Sequence, residues 1–109
     1  MGMIDQFKEA MRMRSEMKEM KRMQNEIMKA TVSHTNGGIT VVVRGDMLIE
    51  SITVEPGAYD EVKAGRPSRF ETMLLNVANA ALKKAREMSQ QEMQKVLQAN
   101  GGLSALFGK

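Results

Sequence analysis

Residues 3–29, MIDQFKEAMRMRSEMKEMKRMQNEIMK, read as one uninterrupted helix, and the rest of the fold follows from it. The stretch holds no Pro and no Gly. Its residues are mostly strong helix formers: Met, Lys, Glu, Arg, Gln and Ala. At 1.5 Å per residue it would be about 40 Å long. That exceeds the diameter expected of a domain this small, so part of the helix must protrude or pack against a second chain.

Steps of about 100° per residue sort its side chains. Ala10, Met13, Met17, Met20, Ile27 and Met28 fall on one apolar arc. Within it Met13, Met17, Met20, Gln24 and Ile27 repeat at coiled-coil spacing, with one polar break at Gln24. Arg14, Lys18, Lys21, Arg22 and Lys29, with Lys8 at the edge, share an arc about 140° wide. Asp5, Glu9, Glu16 and Glu19 lie mostly between the two arcs, Glu26 sits at the boundary, and Arg12 is the exception among the acids. Two readings of the charges compete. One is a solvated face with local ion pairs, Glu19 with Arg22 and Arg22 with Glu26. The other is a one-sided cationic surface, since random mixing would interleave the signs. Ile4, Phe7 and Met11 form a separate apolar seam that continues the basic arc toward the N-terminus, and they are expected to meet another element or a partner.

A chain of 109 residues is one domain. Apolar residues make up 42 % but aromatics only 4 %, and eight of the twelve Met lie in the first 28 positions. So little bulk on so long a helix buries little surface alone, which points to a homodimer with a shared core. The lack of Cys removes disulfides and thiolate metal sites and fits a reducing cytoplasm. No apolar run is long enough for a signal peptide or a spanning helix. A net charge of +3 and pI near 9.4 are compatible with an anionic partner without demanding one.

Beyond Ala30 the residues become β-branched. Thr31 to Thr35 read as a strand, Asn36-Gly37-Gly38 as a tight turn, Ile39 to Arg44 as a second strand, Gly45-Asp46 as a second turn and Met47 to Glu55 as a third strand. Alternation groups Ile39, Val41 and Val43 on one face of the second strand. It groups Leu48, Ile52 and Val54 on the third, with Glu50 interrupting. Short turns make this an antiparallel meander. Pro56-Gly57 opens a polar loop that runs to Pro67. Ser68-Arg69-Phe70-Glu71 has the form of a capping box. The helix it starts should run to about Ala99, with Phe70, Leu74, Val77, Ala81, Ala85 and Met88 as its buried stripe. Asn100-Gly101-Gly102 stops it, leaving residues 101–109 as a flexible tail. The fold class is α+β: helix, three-stranded antiparallel meander, helix.

Catalysis needs convergent titratable groups. The one His, His34, lies in a short strand and reads as a structural residue, at the surface or in a dimer interface. Asp60-Glu61 is an isolated loop pair. Gly37-Gly38 and Gly101-Gly102 match no phosphate-loop or dinucleotide pattern, and no spacing suits a metal. The sequence therefore implies no enzyme, no cofactor, no metal and no small-molecule substrate. The second long helix repeats the basic theme with Lys83, Lys84 and Arg86 inside about one turn, and Lys95 further on. A dimer would present four such clusters. No aromatic accompanies them, which disfavours stacking on single strands and favours phosphate contact on a duplex.

Order and spacing then meet specific residues. Gly38-x-Thr40-Val-x-x-x-Gly45 precedes a strand ending Ile52-x-Val54-Glu55-Pro56. The second helix carries Val77-x-Asn79-Ala-x-x-Lys83-Lys84, with Met93 ten residues past Lys83. With the Met/Gln/Lys/Glu-rich first helix, residues 8 to 95 resemble the YbaB/EbfC family of bacterial nucleoid-associated proteins. The resemblance implies an intertwined homodimer with a central antiparallel sheet and paired long helices projecting like tweezers. It also implies binding of duplex DNA with little sequence preference, in the cytoplasm at the nucleoid. By position, the family's basic residues correspond to Lys18, Lys21, Arg22, Lys83, Lys84 and Arg86; the arc adds Arg14. The short Gly101 to Lys109 segment would stand for the family's unstructured end.

The reading is thus one domain over residues 1–100 with phosphate contacts from Arg14, Lys18, Lys21, Arg22, Lys83, Lys84 and Arg86. Met13, Met17, Met20, Ile27, Val41, Val43, Leu74 and Val77 form the dimer or core seam. The rival is a prefoldin-like holdase chaperone or helical interaction module, which would expose its Met side chains to grip apolar chains. A membrane-surface helix is weaker, for want of Trp.

Overall fold

In the computed structural model, which describes residues 2–100, α1 (Met3–Lys29) leads into strands β1 (Thr31–Asn36), β2 (Ile39–Arg44) and β3 (Ile49–Val54). A 3₁₀ turn (Pro56–Tyr59) and a four-residue helix, α2 (Asp60–Lys63), connect them to the long α3 (Pro67–Asn100). The expected tail at residues 101–109 lies outside the described residues. The three strands form an antiparallel sheet in the order β1-β2-β3. The α+β meander flanked by two long helices is the architecture anticipated from the periodicities.

The sheet owes its register to two turns and one bulge. Gly37 and Gly38 take φ of +60° and +82°, so Asn36 pairs with Ile39 across a two-residue turn that L side chains would strain. The second turn is longer than Gly45-Asp46. Arg44 N–H donates to the Leu48 carbonyl at 2.8 Å, enclosing Gly45, Asp46 and Met47, and Met47 carries a left-handed φ of 69°. β3 consequently begins at Ile49, not at Met47. Val42 pairs with Ser51 but Val43 pairs with Ile49, so Glu50 is an extra residue in the ladder. The bulge resolves the interrupted alternation. It moves Ile49, and not Leu48, onto the face shared by Ile52 and Val54.

α3 lies across β1 and β2. Ile39, Val41 and Val43 from the sheet and Val77, Ala81 and Ala85 from α3 are fully or almost fully buried. The two small Ala side chains let helix and sheet approach closely. Full burial of each Val or Ile contributes roughly 1.5–3 kcal/mol, so this cluster dominates the stability of the protomer. Phe70, Met73 and Leu74 pack around its edge, and Tyr59 stacks on Phe70 with ring centroids 5.6 Å apart. β3 is an edge strand that α3 leaves bare: Ile49 and Ile52 remain exposed although their pairing partners Val43 and Val41 are buried.

Two local expectations are corrected. The polar loop from Pro56 to Pro67 is largely helical, a 3₁₀ turn running into α2. The capping box does not form as drawn. α3 begins at Pro67, which suits a first helical position because its missing N–H needs no partner there. Ser68 therefore sits inside the first turn. Glu61 of α2 holds the entry instead, accepting from Arg66 Nε at 2.8 Å and lying 3.8 Å from Arg69.

One junction fixes α1 to this body. The Gly45 N–H donates to the Ala30 carbonyl at 2.8 Å and the Asp46 N–H to Met28 at 3.2 Å, satisfying carbonyls left free at the end of α1. Ser89 Oγ of α3 donates to the Gly45 carbonyl at 2.8 Å. Ile27 is the one residue of α1 that is buried. Nearer the N-terminus the helix projects, and the chain measures 80 × 22 × 16 Å.

Candidate nucleic-acid interface

The projecting part of α1 carries the basic arc. Taking buried Ile27 as zero and stepping 100° per residue, Arg14, Lys18 and Lys21 fall between about 120° and 180°. They point away from the side that meets α3, and all three are exposed. Among the described residues none of the three has an ion-pair partner within 4.0 Å. Arg22 differs. It pairs with Glu19 one turn back and with Glu26 one turn on, at 3.2 Å for the latter. The hydrogen bond from Arg22, and then its charge, hold the Glu19 carboxyl below the ordinary carboxylate range, and the same contacts raise Arg22. The two pairs named from sequence are thus both present, while the neighbouring cations stay unmatched. Arg12 pairs with Glu9 at 3.8 Å among the acids.

The cluster on α3 divides in two. Lys84 Nζ donates to the Ser33 carbonyl of β1 at 3.3 Å, so this side chain bends back toward the sheet. Lys83 and Arg86, one helical turn apart, are exposed. They lie on the side of α3 opposite Ala81 and Ala85, and so face away from the sheet. Further along, Lys95 pairs with Glu92 at 3.2 Å.

The apolar residues expected in the seam fall into three environments. Val41, Val43, Val77 and Ile27 are buried within the protomer, and Leu74 packs against that core. Met20 and Gln24 are half-buried. Met23, Ile27 and Ala30 line a cleft between the helices with Met88, Glu92 and Val96. Met13 and Met17, at 52 % and 70 % exposure, touch little else in the protomer. His34 stands opposite Val41 on the face of β1 that α3 covers, with its Nδ1 buried and without a hydrogen-bond partner among the described residues. Among the described residues no group of three or more His, Asp or Glu comes together as a metal site, and no helix is long and apolar enough to cross a membrane.

What sequence reasoning did not reveal is the tethering of Lys84, because its partner lies 51 residues away on β1. Two long helices leaving one sheet, each with unmatched cations on its outer side, form a surface suited to a polyanion.

Comparison with known proteins bears on this surface. The model of the YbaB/EbfC DNA-binding family matches residues 1–100. A nucleoid-associated protein of Acetivibrio thermocellus is 34 % identical over 92 residues, covering 83 % of this chain and 79 % of the relative. One from Clostridium kluyveri is 37 % identical over 89 residues, covering 80 % and 73 %. One from Chloroflexus aurantiacus is 32 % identical over 92 residues, covering 83 % and 86 %.

Proposed function

The chain belongs to the YbaB/EbfC DNA-binding family, and on that premise we propose that it is a nucleoid-associated protein. In this reading it binds duplex DNA as a homodimer, with little sequence preference, and alters DNA shape or compaction in the cytoplasm. The observation that carries the reading is the unmatched set Arg14, Lys18 and Lys21 on the outer side of a projecting helix. Lys83 and Arg86 add charge from α3. Lys84 and Arg22 join only by exchanging their present partners, Ser33 for the first and Glu19 and Glu26 for the second. Flexible Lys and Arg side chains at helical spacing suit phosphates, which position a duplex without reading its bases.

The test is a gel-shift titration on several unrelated duplexes at two salt concentrations. A dimer that neutralises about six phosphates should show log affinity falling with log salt at a slope of roughly −5. Reversing Arg14, Lys18 and Lys21 to Glu should weaken binding to every duplex by a similar factor, on the order of a hundredfold or more at low salt, and flatten the slope. Loss confined to one sequence would point to base readout instead. Unchanged binding by a folded dimer would clear this face of the role and place the phosphate contacts elsewhere, whereas no shift of any duplex by the wild type would favour the chaperone reading.

Dimerisation has its own support. Met13 and Met17 on α1 and Ile49 and Ile52 on the bare edge strand are exposed apolar side chains with no cover in the protomer. An open edge strand of this kind invites pairing with another chain. Light scattering at low micromolar concentration should give the mass of two chains. Met13→Asp with Met17→Asp should give one chain or a strongly weakened dimer, because the new carboxylates would enter the seam unpaired. A stable dimer after both changes would place the interface elsewhere.

A further inference from the structure

One ridge on α1 changes character along its length. Ile4, Phe7, Met11, Arg14, Lys18 and Lys21 follow one another at steps of three or four residues, so they form a single row down the helix. The first three are apolar and the next three cationic. All six are exposed, with Ile4 at 72 %, Phe7 at 66 % and Met11 at 57 %. The three apolar side chains lie between about 160° and 220° from Ile27. α3 occupies the side near zero, and Met13 and Met17, the residues proposed for the second copy, lie at about 40° to 80°. The apolar turns therefore face neither α3 nor the proposed partner helix, and share their direction with the cations alone. Phe7 is also distinct among the described aromatics, since Tyr59 and Phe70 are stacked together in the body of the fold.

We infer that these apolar turns are a wedge for duplex DNA. With Arg14, Lys18 and Lys21 on phosphates, Phe7, flanked by Ile4 and Met11, enters a groove and partly unstacks a base step. The inference rests on the DNA-binding reading above and adds to it a means of bending. Charge complementarity selects the occupant: whatever meets the apolar turns must also be polyanionic over the next ~10 Å, the rise from Met11 to Lys18. A duplex offers apolar base faces beneath a phosphate rail at that scale. Inserted Phe, Ile and Met side chains are a general means of kinking DNA by about 20–90° without reading its sequence. Flexible pyrimidine–purine steps should be favoured, since they unstack at least cost.

The experiment uses the full chain and a duplex of about 30 base pairs carrying a donor and an acceptor dye at its ends, with bending read by energy transfer. A second duplex carries 2-aminopurine at a central TA step, whose fluorescence rises on unstacking. The wild type should bend the first and brighten the second. Phe7→Ala should lose most of both signals while affinity falls less than about tenfold, because the phosphate contacts remain. Phe7→Leu should retain a substantial part of them. Equal bending and unstacking by Phe7→Ala and wild type would overturn the wedge while leaving DNA binding intact. So would a fall in the mass measured by light scattering for Phe7→Ala, which would make the ridge a protein contact. Phe7-dependent co-sedimentation with phosphatidylglycerol vesicles, with bending unaffected, would likewise overturn it in favour of a lipid surface. Failure of the wild type to shift any duplex would instead remove the DNA-binding reading itself.

Discussion

Val41→Asp should abolish the folded state. Val41 is the central residue of the central strand, fully buried, with Val43 and Ile39 on either side along its face and α3 above it. A carboxylate there would lose its water and meet apolar side chains on every side but one, where the half-buried His34 imidazole faces it across the ladder. A charged group buried without a partner costs several kcal/mol, and the lost Val packing adds to that. Changes of this kind exceed about 4 kcal/mol, comparable with the whole stability of a domain of this size. Circular dichroism should show no cooperative thermal transition, and the chain should be found in aggregates. Val42→Asp is the control. Its side chain points to the opposite face with Ser33 and Ser51, so it should melt much closer to wild type. An unchanged melting temperature for Val41→Asp would mean that the packed face of the sheet is the other one.

Gly45→Ala should be nearly as damaging, for a steric and not an electrostatic reason. A Cβ at Gly45 would stand 2.0 Å from the Ile27 carbonyl oxygen, 2.9 Å from its carbon and 3.0 Å from Ser89 Oγ. The nearest of these atoms belong to backbone, which cannot rotate aside as a side chain can. Relief requires pulling the β2–β3 turn off the end of α1. That sacrifices the Gly45-to-Ala30 and Asp46-to-Met28 hydrogen bonds and exposes Ile27. The expected cost is about 3 kcal/mol or more. Gly57→Ala is the contrasting case, because nothing lies within 4 Å of its added Cβ. Thermal melts of the two variants side by side check the claim. Equal melting temperatures would show that the junction yields easily. A folded Gly45→Ala protein should still show faster hydrogen exchange in the last turns of α1.

Much of this architecture was written in periodicity. The helix of residues 3–29 needed only its composition and the absence of breakers. The 4-3-4 stripe of α3 and the alternation Ile39-Val41-Val43 named the core directly, because burial and periodicity are the same constraint seen twice. The failures came where one residue changes a rule. Glu50 looked like an interruption of β3 because a bulge has no composition of its own; it is visible only in the pairing of Val43 with Ile49. Ser68-x-x-Glu71 satisfied the capping pattern, but Pro67 can itself open a helix, and the start moved with it. Gly45 read as a turn residue, while its real demand, space for the Ile27 carbonyl, comes from an element eighteen residues away. The cationic surface was legible as an arc. Which cations are already engaged was only half legible: the pairs of Arg22 are local and could be anticipated, the contact of Lys84 with Ser33 could not.

α1 is held to the body over its C-terminal turns, through buried Ile27, half-buried Met20, Met23 and Gln24, and the carbonyls of Met28 and Ala30. Mechanically, that makes it a lever with a short root and a long reach. Phe7 lies 23 residues before Ala30, about 35 Å along the axis. A tilt of about 10° at the root would carry Phe7 through about 6 Å, half the ~12 Å width of a major groove. Arg14, closer to the fulcrum, would travel about 4 Å, and Lys21 little more than 2 Å. In the proposed dimer, small adjustments where Gly45 meets Ile27 would set how far apart the two arms stand, and the apolar turns would feel them most.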